Sequence, residues 1–275
     1  MSVRMASVAV ANEVYKGLLH AWAERAQIVL ELPLFIVFFL LISAVFGRGE
    51  QIAAGRFEWS FDSRVTSLLF VGYMGFMYFY LHTAKLFWRL LGEIQAGTIE
   101  QVYLSPLPSW LIAIAGRVAA AVLETLIVVG ATYLVVSLLV EIRLAWSAAA
   151  AVPLLFLVIG SIGYSLVIGG LTLLWKRIEM INEMLLTVVA IFSGAFVPLD
   201  QLPDWMAAIG RLFPISHAIA SLRGLLIDGR PVTTFAGDGG LIWVVSSGVL
   251  WLVVGVLFFA FGELTAKREG SLSRY

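Results

Sequence analysis

Residues 93–109 read EIQAGTIEQVYLSPLPS. The stretch is polar and turn-rich, and it lies between two strongly apolar runs. Gly97 suits the left-handed residue that closes many helices. Thr98 followed by Gln101 reads as a capping box, in which the Thr oxygen accepts a backbone N–H and the Gln side chain reaches back. The pattern predicts a short helix from Ile99 to about Leu104. Pro106 ends it, because proline disfavours helix at the preceding residue and has no N–H to donate. Pro108 and Ser109 restart the chain as a new helix at Trp110. A short transverse helix thus joins two long ones; the plainer alternative is a cytosolic loop with good turn chemistry.

The flanking runs set the class. Of 275 residues, 61% are hydrophobic and 13% charged, against about 25% charged in an ordinary soluble domain. So much apolar surface cannot be hidden in water, and the sequence predicts an all-α integral membrane protein forming one transmembrane domain over 1–275. A formal net charge of +0 and the lack of a basic stripe give no sign of a nucleic-acid partner. The absence of cysteine excludes disulfides, thiolate metal sites and a cysteine nucleophile. His20, His82 and His217 lack metal-ligand spacing and read as interfacial or packing residues. The N-terminal residues lack a signal-peptide core, so the first apolar span is expected to remain as a membrane helix.

Residues 12–27 alternate with helical period. Val14, Tyr15, Leu18, Leu19, Trp22 and Ala26 share one face, and Glu13, Lys16, His20, Glu24 and Gln27 the other. This predicts an amphipathic helix in the membrane interface, the alternative being an extension of the next helix. Six spans are expected, each near the ~20 residues that cross a bilayer or extendable to it. They cover 28–46, 65–83, 110–140, 148–175, 184–197 (extendable back to about 178) and 241–262. All four lysines, Lys16, Lys85, Lys176 and Lys267, fall on one side if the N-terminus is inside. By the positive-inside rule both termini and the 93–109 stretch are then cytosolic.

Residues 198–229, between the last two spans, are too apolar for an ordinary outer loop, and Pro198, Pro203 and Pro214 break them into short pieces. Two short helices, over 204–212 and 215–227, are expected. They either dip into the outer leaflet, with backbone groups satisfied against protein, or form an amphipathic hairpin on the surface; the apolar content favours the first. His217 and Arg223 would face polar groups or headgroups there.

Three features coincide: the interfacial N-terminal helix, the E-x-x-x-G-T-x-E-x-x-x-x-x-P stretch, and the broken outer hairpin. The matching residues are Glu93, Gly97, Thr98, Glu100 and Pro106, then the run from Phe192 to Gly224. Together they resemble the type-2 permeases of ATP-binding-cassette (ABC) transporters, the membrane subunits of many drug, polysaccharide and lipid exporters. The resemblance covers essentially the whole chain. It implies six transmembrane helices, two permease copies, surrounding lipid, and separate ATPase subunits beneath. It also implies that the 93–109 segment is the coupling helix seated in the ATPase, with Glu93, Gly97, Thr98, Glu100, Gln101 and Tyr103 in that role, and that 198–229 gates the outer side. The chain has no P-loop, G-x-x-x-x-G-K-[ST]. No cofactor is expected on it, and ATP and magnesium belong to the partner. Inner or plasma membrane is the expected location.

Arg117 and Glu124 lie seven residues apart within the third span, on roughly one helical face. Ionisable residues inside a membrane are functional candidates. The alternatives are that Arg117 snorkels to the interface and that Glu124 bonds a neighbouring helix or stays protonated. Asn182 and Glu183 open the fifth span, at the inner mouth of a pathway or merely as polar helix-start residues. Glu31 reads as interfacial. Two other functions compete. A membrane-embedded enzyme would need a catalytic constellation, but HExxH is absent and Ser165 sits in GYSLV, which lacks the second glycine of a nucleophile elbow. A secondary transporter would carry repeated halves and several buried carboxylates.

Overall fold

The computed structural model describes residues 3–23, 25–46, 62–99, 115–175, 178–230 and 239–269. These residues form helices and contain no strand. Helices α1 (Val3–Ala23) and α2 (Arg25–Phe46) precede α3 (Ser63–Gln95) and α4 (Arg117–Leu139). Then come α5 (Ala151–Leu174), α6 (Glu179–Phe192), α7 (Asp204–Gly210), α8 (Pro214–Leu226) and α9 (Gly240–Arg268).

Helix α3 is the centre of the molecule, packed by α5, α4, α8 and α2. Asp62 starts it, accepting from the N–H groups of Arg64 at 2.8 Å and Val65 at 3.3 Å, which satisfies two of the donors a helix leaves free. No proline interrupts its 33 residues, and at about 1.5 Å per residue it runs well beyond the ~30 Å apolar thickness of a bilayer. Phe70, Phe79, Phe87, Leu90 and Leu91 along it are almost wholly buried.

Among the described residues, four helices are long and apolar enough to cross a membrane: α3, α4, α9, and α5 with the 3-10 turn that leads into it (Ala148–Leu174). In α2 the apolar helical stretch is Leu32–Val45. The expected fifth span requires a correction. Helix α6 has 14 residues and stops at Phe192, so 193–197 do not continue it as helix; at about 1.5 Å per residue the helix by itself falls short of ~30 Å. The physical reason lies just after the helix. Gly194 turns the chain with φ +80, and Arg223 captures the carbonyls of Gly194 and Ala195 at 2.5 and 2.6 Å. The third helix is described only from Arg117; residues 110–114 of the expected span lie outside the described residues.

Lipid is as apolar as leucine, so helices in a membrane associate through close packing rather than through release of water. The α5–α9 pair, the most extensive in the fold, meets this need with glycine. Gly163 and Gly170, seven residues apart, face Gly255 and Gly262. A Cβ at Gly255 would lie 2.1 Å from the Gly163 carbonyl oxygen, and one at Gly262 would lie 2.7 Å from that of Gly170.

Helix α1 starts at Val3, earlier than the periodicity predicts, and ends at Ala23. Its Tyr15, Leu18, Leu19 and Trp22 are exposed to the surroundings, while Gly17 is buried against α4. Between α6 and α9, α7 and α8 are two separate short helices. Pro214 occupies the first turn of α8, where its missing N–H costs nothing. Most of α8 is buried against α5, α9 and α3.

Candidate functional site

Lys85, Arg89 and Glu93 recur every fourth residue of α3 and so share one face. Opposite them on α4 stand Arg117 and Glu124. Arg89 lies 2.5 Å from the Glu124 carboxylate, Lys85 forms an ion pair with its other oxygen at 3.4 Å, and Arg117 pairs with Glu93. The pairing order makes the two helices antiparallel. Arg117 and Glu124 therefore do not serve each other; each is met by a charge on α3. Glu124 is 2% exposed, and a lone carboxylate could not stay charged there without such partners. Helix α1 completes the cluster. A Cβ at Gly17 would come within 2.5 Å of the Ala120 Cβ and 2.9 Å of Glu124 Oε1, so only glycine lets α1 lie across the pair. Lys16 and Glu13 pair at 2.6 Å on the same helix.

These charges, apart from Glu124, line one end of a cavity of about 1020 Å³ whose walls come from α1, α2, α3, α4 and α6. Beyond them the lining turns aromatic and apolar, with Phe35, Phe38, Tyr73, Phe76, Met77 and Tyr80. Phe196, from the turn after α6, packs against three of these aromatic rings. Its ring lies 5.6 Å from Phe76, 6.3 Å from Phe38 and 6.5 Å from Tyr73. Glu183 and Thr187 of α6 also line the cavity. Asn182 beside them does not; it is fully buried, and its side-chain amide has no hydrogen-bond partner among the described residues. His82, also fully buried, stacks on Tyr78 at 5.9 Å.

At the opposite end of the helices the segment carrying α7 and α8 is tied down by one cation. Arg223 of α8 donates to the carbonyls of Leu68, Gly194 and Ala195, at 3.0, 2.5 and 2.6 Å. It thereby joins α8 to α3 and to the end of α6. Burial lowers its pKa to about 10, with Asp200 acting in the other direction. Gly72 makes room, since a Cβ there would lie 1.9 Å from the Ala195 oxygen. His217 stacks on Trp243 at 6.0 Å, and its Nε2 lies 3.0 Å from the Arg211 carbonyl. Burial pushes its pKa below the usual imidazole value. Pro198 precedes a 3-10 turn (Leu199–Gln201), Pro203 precedes α7, and Pro214 starts α8.

Past α3 the chain makes a Schellman turn. Thr98 N–H bonds the Glu93 carbonyl at 3.0 Å and Gly97 N–H that of Ile94 at 3.1 Å, with Gly97 at φ +70. Glu93, Gly97 and Thr98 are thus at the end of α3. Glu100, Gln101, Tyr103 and Pro106 lie outside the described residues, and with them the short helix that the sequence predicts.

Sequence reasoning missed Lys85 and Arg89 as site residues, placing Lys85 only among the lysines of one side. The signal was present as the four-residue charge stripe 85–89–93 facing the seven-residue pair 117–124. Gly17, Gly72 and Phe196 left no such signal, because their roles depend on what lies across from them.

A family model described as ABC-2 type transporter matches residues 14–227. No curated protein matches the chain.

Proposed function

The chain belongs to the ABC-2 type transporter family and is the membrane permease of an ABC transporter, and from that premise we propose that it is the pathway-forming subunit of an ATP-driven exporter. Two copies form the pathway, and separate ATPase subunits supply ATP hydrolysis with magnesium. The reading is supported by the aromatic-walled cavity with a charged mouth, which offers an amphiphile both a polar and an apolar surface. The chain lies in the inner or plasma membrane with six crossings, in which α2 is the first and α6 with its following turn the fifth. Both termini and the charged end of the cavity are cytosolic. The hairpin over 198–229 re-enters from the outer side, and Phe196 with the α2 and α3 aromatics blocks leakage at rest.

The 93–109 segment is the coupling helix. Motion in an ATPase must enter the membrane through a stiff contact, and the Schellman turn at Gly97 fixes how this segment leaves α3. The Glu93–Arg117 pair then ties that exit to α4. Co-expression with the ATPase, followed by purification and substrate-stimulated ATP hydrolysis, tests the assignment. Glu100→Arg should weaken assembly by placing a wrong-sign charge in the groove; a variant that assembles and transports like the parent would make the segment an ordinary loop. For orientation, a single cysteine at Ser147 should react with an impermeant thiol reagent in intact cells, and one at Ser273 should not.

A further inference from the structure

Among the described residues, the charges around the cavity balance in number but not in place. Lys16 is paired with Glu13, and Arg117 with Glu93. Lys85 and Arg89 share the single carboxylate of Glu124, which leaves one surplus positive charge on the α3 wall. Both cations line the cavity, with side chains 18% and 15% exposed. Lys85 contacts Glu124 as an ion pair but not as a hydrogen bond, so its N–H donors remain open to a ligand. Glu183 lines the same cavity from α6, and among the described residues its carboxylate has no ion pair or hydrogen bond. One uncompensated positive and one uncompensated negative charge thus face a single space without pairing with each other. The aromatic wall begins one helical turn from Lys85, at Leu81 and Tyr80.

We propose that this cavity binds a zwitterionic amphiphile, an inference that rests on reading the cavity as the permease's substrate site. The anionic group, of phosphate type, sits at Lys85 and Arg89, and the ammonium group at Glu183. The hydrocarbon lies along Phe35, Phe38, Phe76 and Met77. The space is at the upper end of the ~300–1,000 Å³ that ligand pockets usually offer, enough for a headgroup together with part of a chain. An anion alone would leave Glu183 uncompensated beside it, and a cation alone would meet the surplus charge at Lys85. Only a ligand carrying both signs satisfies both walls.

The test uses three probes with one tail and different heads: dodecylphosphocholine, dodecyl phosphate and dodecyltrimethylammonium. Their binding to the full chain in maltoside micelles is measured by titration calorimetry, without an ATPase. The zwitterion should bind tightest. Glu183→Gln, at an exposed position, should weaken the zwitterion and the cation about fivefold, the scale of one partly exposed ion pair, and leave the anion unchanged or tighter. Lys85→Gln should weaken the zwitterion and the anion instead. Competition by diheptanoylphosphatidylcholine would identify a two-chain phospholipid as the occupant; its failure beside dodecylphosphocholine binding would identify a single-chain amphiphile. Equal binding of zwitterion and anion by the parent, or an unchanged ratio in Glu183→Gln, would overturn the proposal. A chain that passes these arms yet never stimulates an ATPase would sink the transport reading and keep the site; one that couples to an ATPase but fails them would do the reverse.

Discussion

Arg89 of α3 and Glu124 of α4 meet at 2.5 Å, with the backbone of Gly17 laid across them. Three helices are thereby fixed at one buried carboxylate. Because Glu124 is 2% exposed, its removal strands charge rather than merely deleting a contact.

Glu124→Ala should therefore destabilise the protein by about 3 kcal/mol, the lower end of what breaking a buried ion pair costs, since the stranded Lys85 and Arg89 keep some access to water. The double change Glu124→Leu with Arg89→Met should recover much of that loss. Thermal unfolding in detergent measures both, and a double variant no better than Glu124→Ala would refute the ion-pair account.

Gly17→Leu should lift α1 from α4 while leaving the spanning helices folded. The substituted side chain would collide with Ala120 and Glu124. Limited proteolysis should then cut within α1 of the variant at protease levels that spare the parent.

Gly255→Leu should be among the most damaging single substitutions in the fold. Its Cβ would stand 2.1 Å from the backbone oxygen of Gly163, and backbone cannot turn aside as a side chain does. Loss of monodisperse protein on size-exclusion chromatography is expected, with Gly130→Leu as the control, since a Cβ there meets nothing within 4 Å.

Arg223→Met should release the segment carrying α7 and α8. Three carbonyl groups, on Leu68, Gly194 and Ala195, lose their donor, each at roughly 1–3 kcal/mol if left unpaired in a buried place. Faster hydrogen exchange over 193–226 than in the parent checks this; unchanged protection would show that Arg223 is not the tie.

His217 gives a pH dependence whose sign follows from burial. Its folded pKa is lowered below the ordinary imidazole value by burial, so below that value the unfolded chain binds the proton more readily. The contribution is present in full above about pH 6.5 and is lost as pH falls through the folded value. His217→Gln should flatten the thermal stability profile below neutrality, and an identical acid slope in the variant would assign that slope elsewhere.

The amino-acid sequence by itself determined the membrane class, the positions of the long helices, the turn at Gly97 and the breaks at Pro203 and Pro214. Those features rest on local causes: apolar runs of sufficient length, a residue free to take positive φ, and prolines that cannot continue a helix. The two ends of α8 were legible to within one residue for the same reason. Tertiary structure alone decided which charges meet. Arg117 and Glu124 share a face of α4, yet each is satisfied by α3, because antiparallel packing sets Glu93 and Arg89 opposite them. It also decided how the chain leaves α6, since Gly194 turns it at φ +80 and Arg223, far along the chain, holds the turned carbonyls of Gly194 and Ala195. Sequence spacing orders residues along one helix. It cannot state which helix lies opposite, and in this protein the candidate site is made of what lies opposite.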